Sequence, residues 1–181
     1  MIDAMALKQG IDYDQCSGNM IGFVDFGDGA EGDEAKEALV FMAVGTTSHW
    51  KLPIGYFLTR TAPSQVQCQL VLHALDLLHT SGLKVQAIVM DGHASNVSMA
   101  KLLGCDLNPN SLKTCFLDPA SGRDIFVLFD ACHVLKLARN MLESYQLIEA
   151  RDGKISWQYL KELEQLQVSL LSLPLCTIMK V

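Results

Sequence analysis

Residues 85–91 read Val-Gln-Ala-Ile-Val-Met-Asp, an apolar and β-branched run that ends on a carboxylate. Such a composition predicts a short buried strand. Ahead of it, apolar residues repeat with a period near 3.6 and predict a helix over 64–82, with Ser64 and Gln67 at capping-box spacing. A helix there suits a crossover between parallel strands. The sequence therefore predicts a buried strand that delivers Asp91 to the edge of an α/β sheet.

Upstream of this helix the sequence predicts antiparallel strands. Ile2–Asp12 and Met20–Phe26 resemble a hairpin around a polar turn, and Ala38–Val44 and Leu52–Leu58 are further apolar runs. These segments predict a meander of three or four antiparallel strands.

Downstream the pattern alternates between helix and strand. We expect Ser95 to cap a short helix that Gly104 ends, and a loop then leads to a strand over Asp124–Phe129. A strong amphipathic helix follows Asp130, and a last one begins at an N-cap at Ser156.

This order predicts an α/β fold of the ribonuclease H-like type: a mixed sheet with an antiparallel meander, then βαβ units and flanking helices. A doubly wound sheet is the weaker alternative, because it would alternate strand and helix from the start.

Composition limits the class of protein. With 181 residues, 50% of them hydrophobic, one domain with a substantial core is expected. A net charge of −6 argues against coating nucleic acid through bulk electrostatics, although a local basic patch remains compatible. Six cysteines without C-x-x-C spacing indicate a reducing compartment, and we expect a soluble chain without signal peptide or membrane span.

Three aspartates occupy strand positions that lie close together in a ribonuclease H-like sheet: Asp3 in the first strand, Asp91 and Asp130 at later strand ends. Converging carboxylates would bind Mg²⁺, which takes a few carboxylate oxygens together with water and substrate phosphates. The alternative is structural, since aspartate after a strand more commonly forms a turn or a helix cap.

Several blocks of the sequence resemble P-element-type transposases. They follow one another in order from about residue 2 to about residue 145, and they are DAMALK (3–8), GFVDFG (22–27), ALVFM (38–42), WKLPIGYF (50–57), DGHASN (91–96) and DACHVLKLARN (130–140).

The resemblance implies the ribonuclease H-like catalytic domain of a cut-and-paste DNA transposase, a group that includes proteins with a THAP zinc finger. It implies two catalytic aspartates and a glutamate with Mg²⁺ or Mn²⁺, DNA as the partner and the nucleus as the location. The first aspartate maps to Asp3, with Asp25 as the fallback, and the second to Asp91. Asp130 is an additional candidate metal ligand.

The resemblance places the glutamate beyond an inserted domain associated with guanine nucleotides, and the sequence offers no convincing counterpart. Glu143 is interpreted as a solvated helix residue. We expect residues 1–145 to form an incomplete ribonuclease H-like domain and 146–181 a C-terminal helix and tail that could begin the insertion. Gly153-Lys154 lacks the glycine pattern of a phosphate-binding loop, so GTP binding is unsupported and no nucleotide-binding residue is assigned.

Lys136 and Arg139 lie on the polar side of the helix after Asp130 and are candidate DNA contacts, with an ordinary solvated face as the alternative. Two functions follow. The first is part of a transposase catalytic domain, compatible with homo-oligomers and inactive alone. The second is a domesticated interaction or DNA-associated module that keeps the fold without the chemistry.

Overall fold

The computed structural model describes residues 1–16, 18–27, 29 and 31–171. The chain forms two compact units, one over Met1–Asp130 and a second that begins at Ala131. Within the described part, no helix is both long and apolar enough to cross a membrane. The strands are β1 Ile2–Ala6, β2 Asp12–Asp14, β3 Asn19–Ile21, β4 Phe23–Val24, β5 Glu31–Glu34, β6 Glu37–Val44, β7 Lys51–Thr59, β8 Ala87–Met90, β9 Cys115–Leu117, β10 Asp124–Phe129, β11 Leu147–Ala150 and β12 Gly153–Ser156; the helices are α1 Ser64–Thr80, α2 Ala94–Leu103, α3 Ala131–Tyr145 and α4 Trp157–Leu171.

An antiparallel sheet of order β1-β6-β7 forms the expected meander. The predicted hairpin between Ile2–Asp12 and Met20–Phe26 is only partly present. Its turn joins the short strands β2 and β3, whereas β1 pairs with β6 so that Ile2 faces Phe41. The non-local pairing places Ile2 and Phe41 in the core, and this burial outweighs the local turn preference.

A second sheet of order β8-β10-β9 contains a βαβ unit, as the predicted order of elements implied, but its crossover contains α2 rather than α1. β8 and β10 run parallel with Met90 opposite Phe129, and β9 adds an antiparallel edge that the sequence did not predict. Three residues are too few to show a strand period, so β9 was indistinguishable from a loop. β1 lies beside β8, which brings the two sheets together within the first unit.

The helices α1 and α2 pack together, and the core of the first unit combines their residues with the inner sheet positions. Gly104 adopts the left-handed conformation predicted for the end of α2, with φ 112°. Both predicted side-chain caps at the N-termini are wrong. Pro63 precedes α1 without a side-chain cap, and at α2 the ring of His93 accepts from the backbone N–H of Ser95. The core consists of Ile2, Leu39, Phe41, Ala62, Val71, Leu75, Ile88, Met90, Met99, Ala100, Cys105, Phe116, Ile125 and Val127.

The second unit contains α3, the antiparallel hairpin β11–β12 and α4. The predicted cap of the last helix is confirmed, because Ser156 Oγ accepts from the backbone N–H of Gln158 at 3.2 Å. The hairpin was not predicted, because its two strands have four residues each, too few to show an alternating pattern. Trp157, at the start of α4, is buried.

Candidate metal centre at the strand ends

Asp91 directly follows β8, whose residues Ile88 and Met90 point into the core. Side chains alternate along a strand, so the position of Asp91, next in register after Met90, lies on the opposite face. Its Oδ1 accepts from the backbone N–H of His93 at 3.0 Å. This is the turn that the structural alternative for Asp91 predicted, and it occupies one carboxylate oxygen.

The same oxygen of Asp91 accepts a second hydrogen bond, from the side-chain amide of Asn96 at 2.5 Å. Within the part of the chain that the structure describes, no hydrogen bond to Oδ2 is found. Sequence reasoning did not single out Asn96. The available signal was its position five residues after Asp91, at the beginning of a helix that starts directly behind the strand.

Asp130 lies next to Asp91 at the carboxyl ends of two parallel strands. Its backbone N–H donates to the carbonyl of Met90 at 2.8 Å, and the register continues the pair Met90–Phe129 by one residue. Neighbouring strands lie about 4.8 Å apart. The structure therefore brings Asp91 and Asp130 together, while Asp130 also stands immediately before α3, where an aspartate commonly caps a helix.

Asp3 lies on β1, the strand beside β8. It faces Val40 in the ladder with β6 and is exposed, whereas its neighbour Ile2 is buried on the opposite face. Oδ1 of Asp3 accepts from the adjacent backbone N–H of Ala4, at 3.0 Å. Its carboxylate is thus open to solvent on a strand next to the one that presents Asp91.

The fallback Asp25 lies elsewhere. Its backbone forms an isolated bridge with Leu58, on the edge of β7 away from β6. Three inter-strand spacings of about 4.8 Å separate that position from β1, which amounts to about 14 Å. Asp25 Oδ1 instead accepts from the backbone N–H of Gly27 at 2.7 Å, and the carboxylate stabilises a turn.

The donor set at this edge is carboxylate oxygen, which suits Mg²⁺ or Mn²⁺ rather than a soft metal. Among the described residues, no group of three or more His, Cys, Asp or Glu side chains is arranged to hold an ion. Mg²⁺ commonly uses one or two carboxylates and fills its other positions with water and substrate phosphates. The residues present therefore fit part of a magnesium site.

In the second unit, the two candidate DNA contacts differ in accessibility. Lys136 is exposed on α3. The Arg139 side chain is only 14% exposed, and its guanidinium bonds to Glu143 at 3.3 Å and to the Asn140 side chain at 2.8 Å. Glu143, predicted to be solvated, is 49% exposed in this ion pair. Arg139 is thus engaged within the unit.

An antiparallel sheet followed by a second sheet with a parallel pair, together with carboxylates on neighbouring strands, is typical of the ribonuclease H-like class. Residues 1–104 match the family model described as TNP-like, RNase H N-terminal domain, and the chain belongs to this family. Residues 132–180 match a second model, described as TNP-like, GTP-binding insertion domain.

A curated relative is the human protein named DNA transposase THAP9, which is 38% identical over 177 residues. The match covers 95% of this chain and 20% of the relative, so the chain spans about a fifth of that protein's length. The resemblance to P-element-type transposases is confirmed by these matches.

A solved structure, described as the Drosophila P element transposase strand transfer complex, has the same fold with a TM-score of 0.70. The two chains are 24% identical, and the match covers 91% of this chain and 33% of the chain in the solved structure. The predicted ribonuclease H-like fold is confirmed.

Proposed function

We propose that this chain supplies Asp3 and Asp91 to the Mg²⁺-dependent active site of a cut-and-paste DNA transposase. The family match supports the class of reaction. The observation that carries the site is the Asp91 carboxylate, which is fixed through Oδ1 beside both β1 and β10. DNA is the proposed substrate, the nucleus the proposed location, and a homo-oligomer is compatible with the proposal.

Asp3 and Asp91 would hold the metal ion, and Asp130 would add negative charge beside Asp91. A bound Mg²⁺ lowers the pKa of an attacking water or hydroxyl and stabilises the leaving oxygen of a phosphodiester. The protein contributes rigid placement: β8 and its core residues Ile88 and Met90 fix the backbone from which Asp91 projects. Preorganised carboxylates need no rearrangement when the substrate arrives.

We propose that the 181 residues do not complete this site by themselves. The described residues hold no cluster of three metal-binding side chains. The resemblance to P-element-type transposases implies a third acid beyond the insertion, and residues 132–180 match the insertion model. Strand cleavage by this chain alone is therefore not expected.

We infer a boundary near Asp130 between the two units, earlier than the boundary at 145 expected from the sequence. The compact first unit ends there, and the insertion match begins at residue 132. Gly153 and Lys154 belong to the hairpin strand β12, and Lys154 pairs with Glu149 at 3.4 Å. They do not form a phosphate-binding loop, so we assign GTP to neither residue.

In the second unit we propose Lys136, and not Arg139, as a contact to DNA. The Lys136 ammonium can reach a phosphate without giving up a contact inside the protein, whereas Arg139 would first have to leave Glu143.

The test is a Mn²⁺ titration of the whole chain, followed by electron paramagnetic resonance of the free ion. We expect one saturable site in the wild type that Asp91→Ala abolishes and Asp3→Ala weakens. Asp25→Ala is the matched control, since it removes a carboxylate on the far side of β7. Equal Mn²⁺ binding by the wild type and Asp91→Ala would refute the metal site and leave the non-catalytic module as the better explanation.

A further inference from the structure

We propose that Asn96 is a positioning residue: its amide clamps Oδ1 of Asp91 so that Oδ2 faces the divalent ion. The inference rests on the proposed function, because it assigns a role at the same carboxylate. Asn96 itself would not touch the metal or the DNA.

The clamp consists of two donors on one oxygen. The backbone N–H of His93 and the side-chain amide of Asn96 both donate to Oδ1 of Asp91, at 3.0 Å and 2.5 Å. An ionised carboxylate only accepts hydrogen bonds, so the amide must present its NH₂ group here. Two donors on the same oxygen oppose rotation of the carboxylate and leave Oδ2 as the oxygen available to an ion.

Asn96 is itself held firmly. It lies in the first turn of α2, and the next turn contains Met99 and Ala100, both 0% exposed. The amide also approaches the backbone carbonyl of Asp91 at 3.4 Å. Because α2 is anchored in the core, the Asn96 amide is fixed relative to β8 before any metal arrives. Orientation fixed in advance is what outer residues of a metal site contribute.

Helix capping does not account for the hydrogen bonds of the Asn96 side chain, because His93 caps α2. The ring of His93 accepts from the Ser95 backbone N–H at 3.4 Å and contacts Ser95 Oγ at 2.9 Å. The side-chain amide of Asn96 therefore donates to Asp91 and does not cap the helix. The competing explanation is that the amide only stabilises the turn between β8 and α2.

The two explanations differ in what Asn96→Ala changes. We expect this variant to weaken Mn²⁺ binding by about tenfold in the same titration, as removal of outer partners of metal ligands commonly does. Asn110→Ala is the matched control, because Asn110 is an exposed loop residue. Thermal unfolding in metal-free buffer accompanies each titration. A lower melting temperature together with unchanged Mn²⁺ affinity would overturn the positioning role and support the turn.

A second measurement uses the wild-type chain and so does not depend on how the variant folds. Addition of Mg²⁺ should shift the side-chain amide NMR signals of Asn96 and leave those of Asn110 in place. No shift at Asn96 during saturable Mg²⁺ binding would overturn the inference. Unchanged Mn²⁺ binding in Asp91→Ala refutes the proposed function, whereas loss in Asp91→Ala with wild-type affinity in Asn96→Ala refutes the clamp alone.

Discussion

The guanidinium of Arg139 lies 5.9 Å from the ring centre of Trp157, so a cation on α3 stacks on the first residue of α4. Trp157 is buried, and its backbone N–H donates to the carbonyl of Gln146 at 2.9 Å. The stacking contact joins α3 to the start of α4, while the Glu143 ion pair holds the guanidinium within α3. Arg139 thus has a structural role, although its sequence neighbourhood suggested DNA.

We expect Arg139→Ala to lower the free energy of unfolding by about 1–2 kcal/mol, through loss of the stacking and of packing by the arginine stem. Lys136→Ala on the exposed face of α3 is the control and should change stability by less than about 0.5 kcal/mol. Urea denaturation followed by tryptophan fluorescence measures both. Equal effects of the two variants would contradict the structural role of Arg139.

Gly22, between β3 and β4, is predicted to tolerate no side chain. Its φ is 103°, and an added Cβ would overlap with the carbonyl oxygen of Gly10. Gly22→Ala should cost about 2–3 kcal/mol of unfolding free energy because strain and overlap act together. Gly32→Ala places its Cβ in open space and serves as the control. Chemical denaturation would contradict the prediction if both variants matched the wild type.

Cysteine labelling should discriminate strongly between Cys105 and Cys16. Burial raises the pKa of the Cys105 thiol, with Cys115 nearby adding to the effect and Lys113 opposing it. A raised pKa means less thiolate at neutral pH, and only 6% of Cys105 is exposed, whereas Cys16 lies at the surface. Iodoacetamide should therefore modify Cys105 at least about tenfold more slowly in the folded chain.

Peptide mass spectrometry over a time course measures these labelling rates, and denaturant should make them converge. Equal rates in the folded chain would show that Cys105 is accessible and would contradict its burial.

Asp106 should contribute to stability in a pH-dependent way. The Ser111 hydroxyl donates to Asp106 Oδ2 at 2.5 Å and the Asn108 backbone N–H to Oδ1 at 3.0 Å, and these bonds lower the carboxyl pKa below its ordinary 3.8. A carboxyl group whose pKa is lower in the folded than in the unfolded state stabilises the fold at pH values above its unfolded pKa. This stabilisation is lost as the pH falls through the pKa of the folded state.

Asp106→Asn should therefore be less stable than the wild type at pH 5–7, with the difference shrinking below about pH 4. Urea unfolding at a series of pH values measures this difference. A difference that stays constant from pH 7 to pH 3 would show that ionisation of Asp106 is not its source.

The regular elements of the fold were largely predictable because their signal is local. The strands at Ala38–Val44 and Asp124–Phe129 and the helix from Ser64 carry their periods within single segments, and the structure has β6, β10 and α1 there. The short strands β2, β9 and β11 have too few residues to show a period. The partner of β1 was not predictable either, because pairing depends on burial of Ile2 against a strand far away in sequence.

At the candidate site, the sequence by itself determined that Asp91 follows a buried strand and that Asp130 ends another. Tertiary structure decided that these two strands are parallel neighbours, that Asp25 lies beyond β7, and that Arg139 turns inward onto Trp157. It also placed the Asn96 amide on Asp91. Strand identity follows from local hydrophobic pattern, but which side chains meet depends on pairing and packing, and these are fixed only when the whole core forms.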